Sequence, residues 1–348
     1  MLSSVIFFLL FIWVFALAGK QILFYSGNKL CYNQGCLNKK DYLIITCFLI
    51  FVCTFKGYWL PDTIPYIESF FQGDSRMEVM WSIFRGATLW TGNPSSIFFI
   101  YSLIAVTLTI RFIKKYSSSP ILSLLIWMSY IFIIQDMIQI RQGVSSAIFL
   151  NTIPFIRKRN WKKFFGFNII GVLFHISALT VLPLYFINVR KLHKRFYLWM
   201  IPACYFLYFA KLGVVFLIQY IQIDFIQALW ITKSTMLDVT EGVNLFNIRQ
   251  IILVSICIFL WMNIEKIHRA SPNSVIYIKI FTIAISTFII LFDVPDIASR
   301  INVIYSVSEI IAIPALLYVP HQRIYGKIVV LGISLLFFST YFTRFVLP

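Results

Sequence analysis

Three arginines interrupt otherwise apolar stretches. Arg141 stands in QDMIQIRQGV (residues 135–144), Arg249 follows NLFNI (244–248), and Arg300 lies in DVPDIASRIN (293–302). A charged side chain at the centre of a membrane helix costs on the order of 3 kcal/mol, so each needs a compensating partner or ligand. A guanidinium is a planar fork that matches phosphate, and helix N-termini attract the same anions. Plainer readings stand beside this one. Asp296 reads as an N-cap, and Asp296 with Arg300 at i, i+4 makes a local ion pair. Gln135, Gln139 and Gln142 share a face if their helix is continuous. That face is either a solvated turn with an Asp136–Arg141 pair or the lining of an outward cavity. Gly143, Ser145, Ser146 and Ala147 follow it, and small residues let helices approach closely.

The groups able to move a proton are few. His175 stands in FHISAL (174–179). A lone His on an apolar face is commonly a packing residue. A buried ionisable group in a membrane is also a functional candidate, and a neutral imidazole can act as a base. Asp62 and Glu78 lie in an outer stretch, YWLPDTIPYIESFF (58–71) and RMEVMWSIFR (76–85). Trp81, Phe84 and Trp90 predict a helix lying in the membrane interface there. Asp62, Tyr66 and Glu78 would then sit at the mouth of a cavity, either as a base or as solvated loop groups. Glu309 is the one deep acid, with a hydrogen bond to a neighbouring helix as its plain explanation. The six cysteines form no C-x-x-C pair, and no histidine stands at zinc spacing. No metal or cofactor is expected.

The elements that must hold these residues follow from composition. The chain has 348 residues, 60% hydrophobic and 12% charged, with mean hydropathy +0.84. A soluble protein is about one quarter charged. An integral membrane protein is implied, all-α, one polytopic domain over 1–348, with about 11–12 spanning or re-entrant helices. Apolar runs fall near 2–25, 42–58, 96–113, 119–135, 140–156, 164–189, 196–219, 247–264, 273–292, 300–319 and 326–345. The outer loops are about 59–96 and 220–246. The start, MLSSVIFFLL, lacks a basic n-region and reads as a retained helix. No internal repeat, low-complexity segment or linker stands out.

The net charge of +17 invites a nucleic-acid reading. The basic residues instead cluster in short loops between apolar runs, as positive-inside topology requires. The strongest cluster is Arg157, Lys158, Arg159, Lys162 and Lys163. Most acids fall in the alternate segments. Residues 164–189 lie between two basic loops, so they must enter and return. Two short helices with an apex near Phe174, His175 and Ser177 satisfy that, and irregular backbone at depth needs protein or water around it.

In this order the motifs resemble the EpsG-like, Wzy-type polysaccharide polymerase family. The matching pieces are Asp62, Thr63 and Tyr66 as D-T-x-x-Y, then Glu78, then I-R-Q-G with Arg141, Gln142 and Gly143. A basic loop RKRNWKKF follows, then F-H-x-S-A-L with His175 and Ser177, and later Ser299 and Arg300. The likeness is densest over residues 40–190. Many relatives carry an Arg shortly before the outer Asp, where this chain has GYWL. The resemblance implies a glycosyltransferase of the membrane-embedded GT-C type in the bacterial cytoplasmic (inner) membrane, multi-pass, with its active face periplasmic. It would join oligosaccharide repeat units carried on undecaprenyl diphosphate, as both donor and acceptor, in O-antigen or lipopolysaccharide synthesis. Its partners would be those substrates, membrane lipid and a chain-length regulator, and no nucleic acid. Arg141, Arg300 and Arg249 are then diphosphate ligands. Asp62, Glu78 and His175 are the candidate catalytic groups, and Tyr66, Gln142 and Ser177 would contact substrate. An O-antigen ligase would show a much longer outer loop. A flippase or transporter would show repeat symmetry or charges spread through the spans. A membrane acyltransferase would carry H-x-x-x-x-D, which His175 and Thr180 do not make.

Overall fold

Local caps set many of the boundaries. Asn38 and Asp41 form a reciprocal capping box at the start of α2 (Lys39–Thr54). Asn160 accepts from the Lys163 N–H at 3.1 Å to start α8 (Trp161–Phe174). Asn247 does the same for α10 (Ile248–Met262), accepting from Gln250 at 2.9 Å. The computed structural model describes residues 2–23, 37–73, 77–213 and 244–347, with no strand among them. Most of the expected outer loop 220–246 lies outside the described residues, with Cys31, Cys36, Asp74, Arg76, Asp224, Asp238 and Glu241.

The remaining elements are α1 (Leu2–Leu23), α3 (Thr63–Gln72), α4 (Val79–Thr88), α5 (Ser95–Tyr116), α6 (Pro120–Ile126), α7 (Ile140–Arg157), α9 (Lys194–Phe209), α11 (Ile264–Ala270), α12 (Ser274–Ile290), α13 (Pro295–Tyr318) and α14 (Arg323–Tyr341). The chain is a polytopic, all-helical membrane bundle. Four helices are long and apolar enough to cross a bilayer, and α10 with α11, bent by 72°, makes a fifth if counted as one span. The sequence reading expected about 11–12 spanning or re-entrant elements. Several of the apolar runs fold as short or broken helices instead. Pro120–Ile131, Ile176–Phe186 and Ser274–Ile290 are apolar but short.

The predicted bent pair at 164–189 is present. Helix α8 stops at His175, and a 3-10 segment runs from Ile176 to Phe186. Each arm is about 21–22 Å long, short of a ~30 Å hydrocarbon core. Arg159 closes the hairpin by donating to the Tyr185 and Ile187 carbonyls at 2.7 and 2.8 Å.

Two corrections concern the stretches that lead into Arg141 and Arg300. Residues 127–138 run in wide turns after α6, and Gln139 (φ −95, ψ 59) breaks the helix before α7. Gln135, Gln139 and Gln142 therefore share no continuous face. Gln135 donates to the Val303 carbonyl at 2.5 Å, and Gln142 donates to the Arg300 carbonyl at 2.5 Å. Gly143 allows this close approach. A Cβ there would lie 2.4 Å from the Gln135 carbonyl oxygen, a backbone atom that cannot swing aside. Asp296 does not cap α13. Val294 holds the N-cap position with Pro295 at the first helical position, and Asp296 falls within the first turn.

Candidate functional site

The outer loop expected at about 59–96, with an interfacial helix at Trp81, Phe84 and Trp90, holds two helices, α3 and α4, packed on the bundle. Trp81 is fully buried, its ring 5.3 Å from Tyr66 and 5.9 Å from Tyr101. Phe84 reaches Tyr101 and Phe174 at 5.6 and 6.0 Å. Trp90 remains exposed. Arg85 ties α4 to the C-terminal end of α3 through the Phe70 and Phe71 carbonyls, at 2.7 and 3.0 Å. A satellite aromatic cluster, separate from the main core, thus seats α3 and α4 on α5, α7 and the His175 break. The polar groups sit on this platform.

Arg141 is the second residue of α7 and pairs directly with Glu78, the N-cap residue of α4. Glu78 makes no capping bond to its own helix. Arg141 thus finds its acid 63 positions away, and the Asp136–Arg141 pair of the solvated-turn alternative is absent among the described residues; Asp136 is buried in the wide-turn segment. The guanidinium lies 5.5 Å over the Tyr66 ring. His175 Nε2 is 3.9 Å from the other Glu78 oxygen. The Ser177 N–H donates to His175 Nδ1 at 3.2 Å, with the Ser177 hydroxyl 2.7 Å from the same nitrogen. Nδ1 is the acceptor, so the neutral ring carries its proton on Nε2, towards Glu78. Ser177 therefore orients the imidazole.

Arg300 is exposed on α13. No ion pair joins it to Asp296 among the described residues. Gln142 is buried and holds the Arg300 backbone, which fixes α13 against α7 at this point. Asp62 is exposed in a left-handed conformation (φ 63) at the start of α3, close enough for its charge to act on Tyr66 and Lys56. Arg249 belongs to a different cluster. It lies 4.0 Å from the buried Glu309 and 5.1 Å over the Tyr130 ring. Glu309 accepts from the Tyr130 hydroxyl, the neighbouring-helix bond its plain reading anticipates.

Sequence reasoning missed Lys56. Its side chain is buried where α2 leads into the outer stretch. Its Nζ donates to the Met137 carbonyl at 2.8 Å and lies 4.5 Å from the Phe98 ring and 5.2 Å from the Tyr66 ring. A cation thus stands six residues before Asp62 of the D-T-x-x-Y motif, immediately ahead of GYWL. A lone lysine inside the apolar run 42–58 was the available signal, since such a charge is costly unless partnered.

Several polar atoms around the platform are buried without a hydrogen-bond partner: Arg141 Nε, Trp81 Nε1 and Tyr101 Oη. Native structures satisfy most buried polar groups, so a concentration of unmet donors marks a place where ligand or water atoms pair. The arrangement can therefore bind an anion at Arg141 and Arg300, and can accept or hold a proton at Glu78 and His175. Among the described residues no three His, Cys, Asp or Glu side chains come together as a metal site.

No curated protein and no solved structure matches the chain. The EpsG family model matches residues 41–347, which takes in the outer-stretch helices, the Arg141 and His175 elements and α13. A bundle of apolar helices with this charged platform, matched over that range, belongs to the EpsG family, whose members are Wzy-like polysaccharide polymerase-type membrane proteins.

Proposed function

We propose that the chain is a membrane glycosyltransferase that polymerises oligosaccharide repeat units carried on undecaprenyl diphosphate. It works at the periplasmic face of the bacterial inner membrane, as in O-antigen synthesis. The observation that carries this is Arg141, fixed by Glu78 and Tyr66, beside His175 and Arg300, with an unmet buried N–H of its own.

In the reaction the bond between the anomeric carbon and the diphosphate oxygen breaks. A sugar hydroxyl of the acceptor attacks that carbon, and its proton passes to a base. The departing lipid diphosphate gathers negative charge, which Arg141 and Arg300 stabilise as preorganised donors. Glu78 is engaged by Arg141 through one oxygen and faces His175 with the other. The Glu78 oxygen that faces His175 takes the proton, and the His175 Nε2–H, held in place by Ser177, points at that oxygen. Asp62, at the exposed edge, is the second base candidate. Trp81 and Tyr101, buried in the platform beneath, keep unmet donors at Nε1 and Oη. A chain-length regulator would meet the protein from the same side of the membrane.

The test is a gel of surface polysaccharide from cells with and without the gene, and from deletion cells carrying Arg141→Ala. Deletion should leave a lipid core bearing a single repeat unit, and Arg141→Ala should fail to restore long chains. If no unit reaches the core, a ligase or flippase explains the protein. Unchanged long chains refute the polymerase reading.

A further inference from the structure

Arg141 and Arg249 are built on one plan. Each follows an isoleucine that opens a helix and precedes a glutamine, Ile140-Arg141-Gln142 in α7 and Ile248-Arg249-Gln250 in α10. Each guanidinium lies over a tyrosine ring, Tyr66 at 5.5 Å and Tyr130 at 5.1 Å. Each faces a glutamate from a distant element, Glu78 and Glu309. Each has a buried Nε with no hydrogen-bond partner. The two arginines share none of these partners.

The differences also matter. Arg141 is bonded directly to its glutamate. Arg249 is 4.0 Å from Glu309, beyond a hydrogen bond, and Glu309 is instead bonded by Tyr130. No hydrogen bond from the Arg249 guanidinium to a described residue is present. A guanidinium carries five N–H donors in a fixed fork. Arg249 is four-fifths buried, with 19% of its side chain accessible, yet among the described residues its fork is held by ring and charge contacts alone. The adjacent Gln250 side chain is buried with an unmet Nε2. Leaving such donors unpaired is costly, and a bound oxyanion would satisfy the Arg249 fork.

We propose that Arg249, oriented by Tyr130 and Glu309, is a second diphosphate-binding station, and that it holds the acceptor lipid while Arg141 and Arg300 hold the donor. The assignment of donor and acceptor rests on the polymerase reading, in which two lipid-linked diphosphates must be bound at once. The existence of two anion stations does not need that reading.

The experiment is calorimetric titration of farnesyl diphosphate into the full-length protein in neutral-lipid nanodiscs. Inorganic pyrophosphate serves as a competitor, to separate headgroup from lipid recognition. The wild type should bind two equivalents, and Arg249→Gln and Arg141→Gln should each bind one, the lost site weakened about tenfold or more. One equivalent in the wild type, or two in Arg249→Gln, overturns the proposal. The wild-type stoichiometry is decisive even if a variant does not survive purification. Polymer made in cells by a protein that binds one equivalent would sink the second station and leave the polymerase reading intact. Two equivalents in a protein whose deletion leaves surface polysaccharide unchanged would overturn the acceptor assignment.

Discussion

Arg141 and Glu78 form a pair whose two members do different work, and a double substitution separates them. Their side chains are 19% and 16% accessible, so neither is well solvated. Arg141→Ala strands the Glu78 carboxylate on the aromatic platform with only His175 nearby, at 3.9 Å. Breaking a buried pair costs about 3–5 kcal/mol, and the residual access of both groups places this case near 3 kcal/mol. The same change removes a donor aimed at the leaving diphosphate, worth about 2.7–4 kcal/mol, or roughly 10²–10³ in rate. Adding Glu78→Ala removes the stranded charge. The double variant should therefore recover most of the lost thermal stability and none of the lost polymerisation. Thermal unfolding of the purified protein in detergent, read beside a polysaccharide ladder from complemented cells, measures both. A double variant that regains long chains would show that Arg141 acts only by neutralising Glu78, and both the phosphate-binding argument and the role of Glu78 as base would fall.

Gly143→Ala should destabilise the protein by about 1–3 kcal/mol, because the new Cβ meets backbone that must shift, and thermal unfolding will show it. Lys56→Met should fold with equal or greater stability, since an apolar side chain of similar length replaces a buried charge, while chain length on the gel falls. Normal ladders from that variant would limit Lys56 to packing. Ser177→Ala should reduce polymerisation by about tenfold or less, because the Ser177 N–H still donates to His175 Nδ1 when the hydroxyl is gone. A complete loss there would mean that the hydroxyl itself meets the substrate.

Composition and periodicity made the membrane class and the helical architecture legible, because too few charges exist to coat a soluble surface. The charge rule also located the hairpin at His175, since two basic loops flank 26 residues and force the chain to turn back. The residues of the platform were legible singly, as costly side chains in apolar runs. Their partners were not. Arg141 has an aspartate five residues before it, yet it pairs with Glu78 across 63 positions, because the wide turns at 127–138 and the break at Gln139 redirect the start of α7. Spacing arguments assume 3.6 residues per turn, and that assumption fails where the helix widens. Trp81 looked like an interfacial aromatic by type, and tertiary packing put it in the platform beneath Tyr66. Arg249 looked like a third member of one arginine set, and the fold gave it its own glutamate and tyrosine. The sequence by itself determined which groups are expensive to bury and which end of a span they favour. Only the tertiary structure decided which of them meet, because that depends on where helices break, and a break is set by contacts made far along the chain.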